Sequence, residues 1–321
     1  MERDMYDVVA LGELLIDFAQ QSVDESGYPT MAAHPGGAPG NFLAALNKYG
    51  ARTAFLGKVG EDAFGRLLLN TLGEAGIETR GILADPAVFT TLAFVTFKEG
   101  DRSFSFARKP GADTMLRFDE VDLSLIDQTR VFHFGSLSLT GDPVRETTRR
   151  AVAYAREQGK LITFDPNLRQ PLWDSADRAR QEILWGLDQA DVVKISDEEV
   201  AFLWDCGEAE GARRLLEDHG VSLAMVTLGP RGCLLVNRRG RAEAASPKVD
   251  VVDTTGAGDI FGGSAVSRLL KLGKAPEDLE EADLAGIARF AATAASLSTQ
   301  KPGGIPSIPD EAEVLARMGE I

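Results

Sequence analysis

Short apolar runs recur along the chain, each closed by a glycine or a small polar residue and followed by an amphipathic stretch. Val8-Val9-Ala10-Leu11 stops at Gly12, and Thr53-Ala54-Phe55-Leu56 stops at Gly57. Val131-Phe132-His133-Phe134 ends at Gly135 and Leu161-Ile162-Thr163-Phe164 at Asp165, while Val192-Val193-Lys194-Ile195 and Leu223-Ala224-Met225-Val226 repeat the plan. Such runs read as strands buried on both faces, and the stretches 143–158, 175–189 and 197–205 carry helical spacing. Strands alternating with helices predict βαβ units, a mostly parallel sheet and helices on both of its faces.

Two segments break the rhythm. Residues 18–36 are polar, rich in Gly, Ser and Pro, and lack a helical pattern. Residues 86–110 hold Phe89 to Phe97, the turn Glu99-Gly100-Asp101 and then Ser103 to Phe106, a hairpin by its β-branched and aromatic content. Both read as inserts that build a small β-sheet lid beside an α/β core made of 1–17, 37–85 and 111–321.

The length of 321 residues suits such a core, with 44% hydrophobic and 26% charged residues. With 34 Lys+Arg against 49 Asp+Glu the net charge is −15, which argues against nucleic acid as a partner because no excess of basic residues is available to displace counterions. It leaves room for a small phosphorylated ligand in one local anion hole. Cys206 and Cys233 read as buried thiols, and His34, His133 and His219 are too scattered for a transition-metal site. Met1-Glu2-Arg3-Asp4 lacks the basic start of a signal peptide, and no apolar run reaches the roughly 18 residues of a membrane helix, so the expected location is cytoplasmic, away from membranes.

In an open parallel sheet, ligands sit outside the carboxyl ends of the strands. The residues there are Gly12 to Asp17, Gly135-Ser136, Asp165 to Arg169, Ser196 to Glu199 and Thr227 to Gly232. The sharpest signal is Asp253-Thr254-Thr255-Gly256-Ala257-Gly258-Asp259, small residues running straight into a helix. Free amides and the positive end of the helix dipole make an anion pocket, beside which Asp259 can take a proton from an alcohol. Asp259 could instead satisfy the first helix amides. A second segment, Gly36-Gly37-Ala38-Pro39-Gly40-Asn41, opens another helix; taken alone, it reads as a Gly-rich loop with Asn41 as helix cap. The chain has no P-loop and no nucleophile elbow. Gly256-Ala257-Gly258 fails the dinucleotide fingerprint, since Phe261 stands where the third Gly would be. A nicotinamide-dependent dehydrogenase is disfavoured on that ground.

These two Gly-rich segments, in this order, resemble those of the ribokinase-like (PfkB) carbohydrate kinases, and the resemblance runs along essentially the whole chain. Within the family the chain looks most like bacterial and plant fructokinases, through Gly12-Glu13-Leu14-Leu15-Ile16-Asp17, Arg102 to Phe106, Arg108, Gly111-Ala112-Asp113, His133 to Ser136 and Asp165 to Arg169. The resemblance implies a ribokinase-like doubly wound fold and an ATP-dependent kinase for a ketohexose, fructose to fructose 6-phosphate. It implies Asp259 as catalytic base and Gly256, Ala257 and Gly258 as the anion hole. Asp17, Gly36, Gly37 and Asn41 would bind the sugar, with Arg108 reaching down from the lid and Arg169 nearby. Lys194, Glu199, Thr227, Gly229 and Gly232 fall on the nucleotide side, Glu199 linked to Mg2+. Asp253, Thr255, Gly303 and Ser307 would line a monovalent-cation site, with K+ the candidate. The resemblance also implies a homodimer through the lid, as in many members of the family.

Ser196 stands where the family's N-x-x-E motif has Asn, and Ala107 where fructokinases are expected to have Tyr. A 2-keto-3-deoxygluconate kinase, a ribokinase or an aminoimidazole riboside kinase would share the machinery. A non-catalytic sugar sensor on the same fold would be expected to lose Asp259 or the glycine loop, and both are present.

Overall fold

The computed structural model describes residues 6–98 and 101–319; the Met1 to Asp4 start and the Glu99-Gly100 turn lie outside the described residues. In chain order the elements are β1 (Tyr6–Leu11), β2 (Leu15–Val23), β3 (Pro29–Gly36), α1 (Ala38–Lys48), β4 (Thr53–Gly60), α2 (Ala63–Glu74), β5 (Ile82–Asp85), β6 (Thr91–Lys98) and β7 (Asp101–Ala107). Next come α3 (Leu123–Asp127), β8 (Thr129–Gly135), α4 (Val144–Glu157), β9 (Leu161–Asp165), α5 (Ala176–Gln189), β10 (Val192–Ser196), α6 (Asp197–Trp204) and α7 (Glu208–Glu217). The chain closes with β11 (Leu223–Thr227), β12 (Cys233–Val236), β13 (Arg241–Ala244), α8 (Ala257–Leu272), α9 (Glu281–Ser298) and α10 (Glu311–Gly319).

Among the described residues the strands form two sheets. The larger has the order β13-β12-β11-β10-β9-β8-β1-β4-β5. It is parallel from β5 to β11 and antiparallel at β12 and β13. Alternate residues of each strand feed opposite layers. Val9 and Leu11 face a cluster with α4, α5, α6 and α7, whereas Val8 and Ala10 face one containing α1 and α8. Helices on both faces explain why the centres of these strands are mostly apolar. From β1 the chain moves first to β4 and β5 and then back to β8, so the direction of winding reverses at β1, the switch point that opens a crevice at the carboxyl ends.

The smaller sheet has the order β3-β2-β6-β7. Its strand β2 begins at Leu15, ahead of residue 18, because Leu15 and Ile16 already pair with Thr91 and Leu92 of β6. Asp17 therefore sits on the small sheet, opposite His34 of β3. Cys233 is buried as expected, whereas Cys206 is only half-buried, in the loop that follows the left-handed Asp205 (φ 52°) ending α6; both are free thiols. No helix among the described residues is long and apolar enough to cross a membrane.

Candidate active site

The helix that opens at Ala257 starts without a side-chain cap. Asp62 caps α2, Ser175 caps α5 and Ser196 caps α6, but the N-cap of α8 is Gly256 (φ 76°), with no side chain on its first amides. Asp259 does not cap the helix either. Its carboxylate accepts a hydrogen bond from Asn41 Nδ2 at 2.8 Å and a longer one from Asn167 Nδ2 at 3.4 Å. Burial raises the Asp259 pKa above the ordinary carboxylate range, opposed by the Asn41 bond and by Lys194 and Arg169.

Asn41 differs from the helix-cap expectation. Gly37 (φ 117°) occupies the N-cap of α1, and Asn41 lies inside the helix, buried, with its amide turned on Asp259. Its carboxamide fits between two glycines. An added Cβ at Gly256 would lie 3.2 Å from Asn41 Nδ2, and one at Gly304 would overlap Asn41 Oδ1. That oxygen is buried and accepts no hydrogen bond among the described residues.

Beneath the start of α8 lies Lys194, from β10. Its Nζ would stand 3.0 Å from a Cβ added at Gly258, and it bridges to Asp165 Oδ2 at 3.1 Å with both side chains buried. Burial works against the ammonium, but the carboxylates of Asp165, Glu199 and Asp259 more than offset it and raise its pKa. A fixed positive charge thus sits under uncapped helix amides. That arrangement suits a phosphoryl group.

Glu199 commits both oxygens to backbone amides: Oε1 accepts from Leu168 N at 2.7 Å and Oε2 from Ser196 N at 2.8 Å. Ser196 Oγ in turn accepts from Glu199 N, closing a capping box. Serine is as good an N-cap as asparagine, so the departure at 196 leaves this local structure intact. The bond to Leu168 holds the turn after β9, where Asn167 adopts φ 41° and aims its amide at Asp259. Asn167 is a site residue that sequence reasoning missed as such. An Asn directly after a strand end was its one local signal, since asparagine tolerates left-handed backbone.

Asp17 is drawn into the same field. Partial burial pushes its carboxyl up to about 6, with exposed Arg169 opposing the rise and the charges of Asp259 and Asp253 adding to it. The structure thus brings Asp17, Asn41, Arg169, Lys194, Asp253 and Asp259 around one rim, while Gly36 lies so close under Asp17 Oδ2 that a side chain there would collide with it. Asp253 ties two loops: Oδ1 accepts from Thr255 N and Oγ1, and Oδ2 from Gly303 N at 3.0 Å. Ser307 is buried and turns its hydroxyl to Gly304 O. At the end of β11, Gly229 (φ 56°) and Gly232 (φ 110°) shape the loop after Thr227, and a Cβ at Gly232 would collide with Ala244 O.

Arg108 differs from the expectation that it reaches the sugar. Its guanidinium turns into the core, where Nε bonds Asp113 Oδ2 at 2.8 Å, Nη1 bonds Thr140 Oγ1 at 3.0 Å and Nη2 bonds Leu137 O at 2.9 Å. Salt bridging to buried Asp113 outweighs exposure at the rim.

Comparison with known proteins places this geometry. The sequence pattern of the pfkB family of carbohydrate kinases matches residues 5–311. Fructokinase-1 of Zea mays is 42% identical over 313 residues, covering 96% of each chain. The crystal structure of the Xylella fastidiosa fructokinase with bound ATP superposes with a TM-score of 0.90 at 30% identity, covering 98% of each chain. A double mutant of the Vibrio cholerae O395 fructokinase, with fructose, ADP and potassium ion bound, superposes with a TM-score of 0.86 at 29% identity, covering 99% of this chain and all of the other.

Proposed function

The chain belongs to the pfkB family of carbohydrate kinases, and from that premise we propose that it transfers the γ-phosphoryl group of ATP to a hydroxymethyl group of fructose, yielding fructose 6-phosphate. The observation that carries the reading is Asp259: a buried carboxylate of raised pKa, held by two carboxamides in the first turn of a helix with no capping side chain.

In this reading Asp17 and the Gly36-Gly37 loop bind sugar hydroxyls, and Arg169 faces the same rim. Asp259 takes the proton of the attacking hydroxyl. Its raised pKa makes it a better proton acceptor than an ordinary carboxylate, and a positioned general base contributes about 10²- to 10⁴-fold. The amides of Gly256, Ala257 and Gly258, with Lys194 beneath, neutralise charge that grows on the transferring phosphoryl oxygens. Thr227, Gly229 and Gly232 form the nucleotide side.

Mg2+ and a monovalent cation fit the donor sets present. On the phosphate side Glu199 already accepts backbone amides with both oxygens and Asp165 is paired with Lys194, so these carboxylates would act on Mg2+ through the waters it keeps, and the ion would supply shielding of phosphate charge when bound. Asp253, with oxygens of Thr255, Gly303 and the turn at Ser307, would hold K+ beside the helix start. The same reading carries a homodimer through the small sheet, where Tyr28 is 71% exposed and Val23 55%, and a cytoplasmic location that keeps both cysteines reduced.

The test is coupled ADP release from ATP and Mg2+ with fructose, ribose, glucose, tagatose and 2-keto-3-deoxygluconate in parallel, Asp259→Asn beside the unaltered protein. Fructose turnover lost in the variant is the expected outcome. Turnover of the sugar acid far above fructose overturns the choice of sugar, and full activity in Asp259→Asn overturns the base.

A further inference from the structure

The chain passes between the small sheet and the core four times, and one buried polar cluster touches all four passages. The entry to β2 carries Glu13, 3% exposed, whose Oε1 accepts from Ala38 N at 3.0 Å just after the exit from β3. The two passages also meet through backbone, since a Cβ at Gly37 would lie 2.5 Å from Glu13 O and 3.2 Å from Leu14 Cα. The entry to β6 carries Thr91, fully buried, whose hydroxyl donates to Asp113 Oδ1. The exit from β7 carries Arg108, paired with the other oxygen of Asp113 at 2.7 Å. Glu13 lies within the electrostatic reach of both Arg108 and Asp113. Burying three charged groups together is costly unless each is paired or hydrogen-bonded, and here each of them has such a partner.

We propose that Glu13, Arg108, Asp113 and Thr91 form a clasp that fixes the small sheet against the core, and that Glu13 is a positioning residue for the sugar-binding Gly36-Gly37 loop. The proposal rests on the kinase reading for its effect on turnover, but not for the clasp itself. Asp17 and Gly36 belong to the small sheet, whereas Asp259, Lys194 and the nucleotide loop belong to the core. Loosening the clasp therefore separates the sugar side from the phosphoryl side and leaves the nucleotide side alone.

The test uses the full chain with Glu13→Ala, Glu13→Gln and Thr91→Val. Losing the acceptor for Ala38 N in Glu13→Ala raises the sugar KM about tenfold, the usual worth of one buried hydrogen bond. The ATP KM stays unchanged, and ATP hydrolysis without sugar rises relative to sugar phosphorylation. Glu13→Gln, whose amide oxygen still accepts from Ala38 N, returns the sugar KM towards that of the unaltered protein. Thr91→Val repeats the split from the other strand pair and stands in if Glu13→Ala does not fold. An ATP KM that rises with the sugar KM, or a Gln variant no better than the Ala variant, overturns the positioning role. If the unaltered protein phosphorylates no sugar, the kinase reading fails separately, and amide hydrogen exchange decides the clasp. Faster exchange in 15–36 and 91–98 of Glu13→Ala, with β8 to β10 unchanged, supports it; unchanged exchange in the small sheet overturns it.

Discussion

Gly263→Ala tests how the base is held. Asn41 and Ala45 lie one turn apart on α1, Asp259 and Gly263 one turn apart on α8, and the two pairs face each other. A Cβ at Gly263 would come within 2.8 Å of Ala45 Cβ and closer still to Phe42 O, so the helices must part by roughly 1 Å to restore ordinary contact. Carried one turn along, that displacement stretches the 2.8 Å bond between Asn41 and Asp259 beyond hydrogen-bonding range. Overpacking of this kind costs about 1–3 kcal/mol of stability. A misplacement of this size in a catalytic group costs about 10²-fold in kcat. The assay pairs urea unfolding with steady-state kinetics, beside Gly286→Ala. Gly286 is exposed on α9 with open space around it, so the added methyl should stabilise the helix by about 0.5–1 kcal/mol and leave kcat alone. If Gly263→Ala loses stability while kcat stays that of the unaltered protein, close approach of the helices is not what holds Asp259.

Lys194→Met strands Asp165 in the core and should cost about 3–5 kcal/mol, most of it recovered when Asp165→Asn is added; equal stability of the single and double variants in urea would refute this. His133 stacks on Phe42 at 3.8 Å, and burial, helped by Lys194, pushes its pKa down to about 3. Only the unfolded chain takes up that proton as pH falls below the ordinary value of about 6.5, so His133 removes about 2 kcal/mol of stability by pH 5 and nothing above pH 7. His133→Asn should lose that much less between pH 7 and pH 5, and an identical pH dependence would count against the buried neutral imidazole. Asp62 accepts from the amides of Phe64, Gly65 and Thr90, tying the start of α2 to the approach to β6, so Asp62→Ala should lower the unfolding free energy by about 1–2 kcal/mol.

What the linear order of residues determines here is local. Apolar runs closed by Gly or Asp mark the core strands, because a strand covered on both faces tolerates few polar side chains. The small residues at Gly256 to Gly258 mark a helix start with no side-chain cap, because a left-handed N-cap and bare backbone depend on those residues alone. The insert at 86–110 was legible through its β-branched and aromatic content, whereas the cap that Ser196 forms with Glu199 emerged only from the structure. Side-chain partnership was not legible, because the partners come from distant parts of the chain. Asn41 reads as a helix cap until α8, 218 residues later, is packed against α1. The family resemblance implies Arg108 as a sugar ligand, and only the burial of Asp113 shows which charge claims it. Asn167 and Glu13 fall in the stretches that close core strands, but nothing in the sequence marks which partners they take. Their roles arise where a turn after β9 meets α8 and where the passages to the small sheet converge. Tertiary structure decided these because a buried hydrogen bond depends on two groups arriving at the same point, and neither group encodes the arrival of the other.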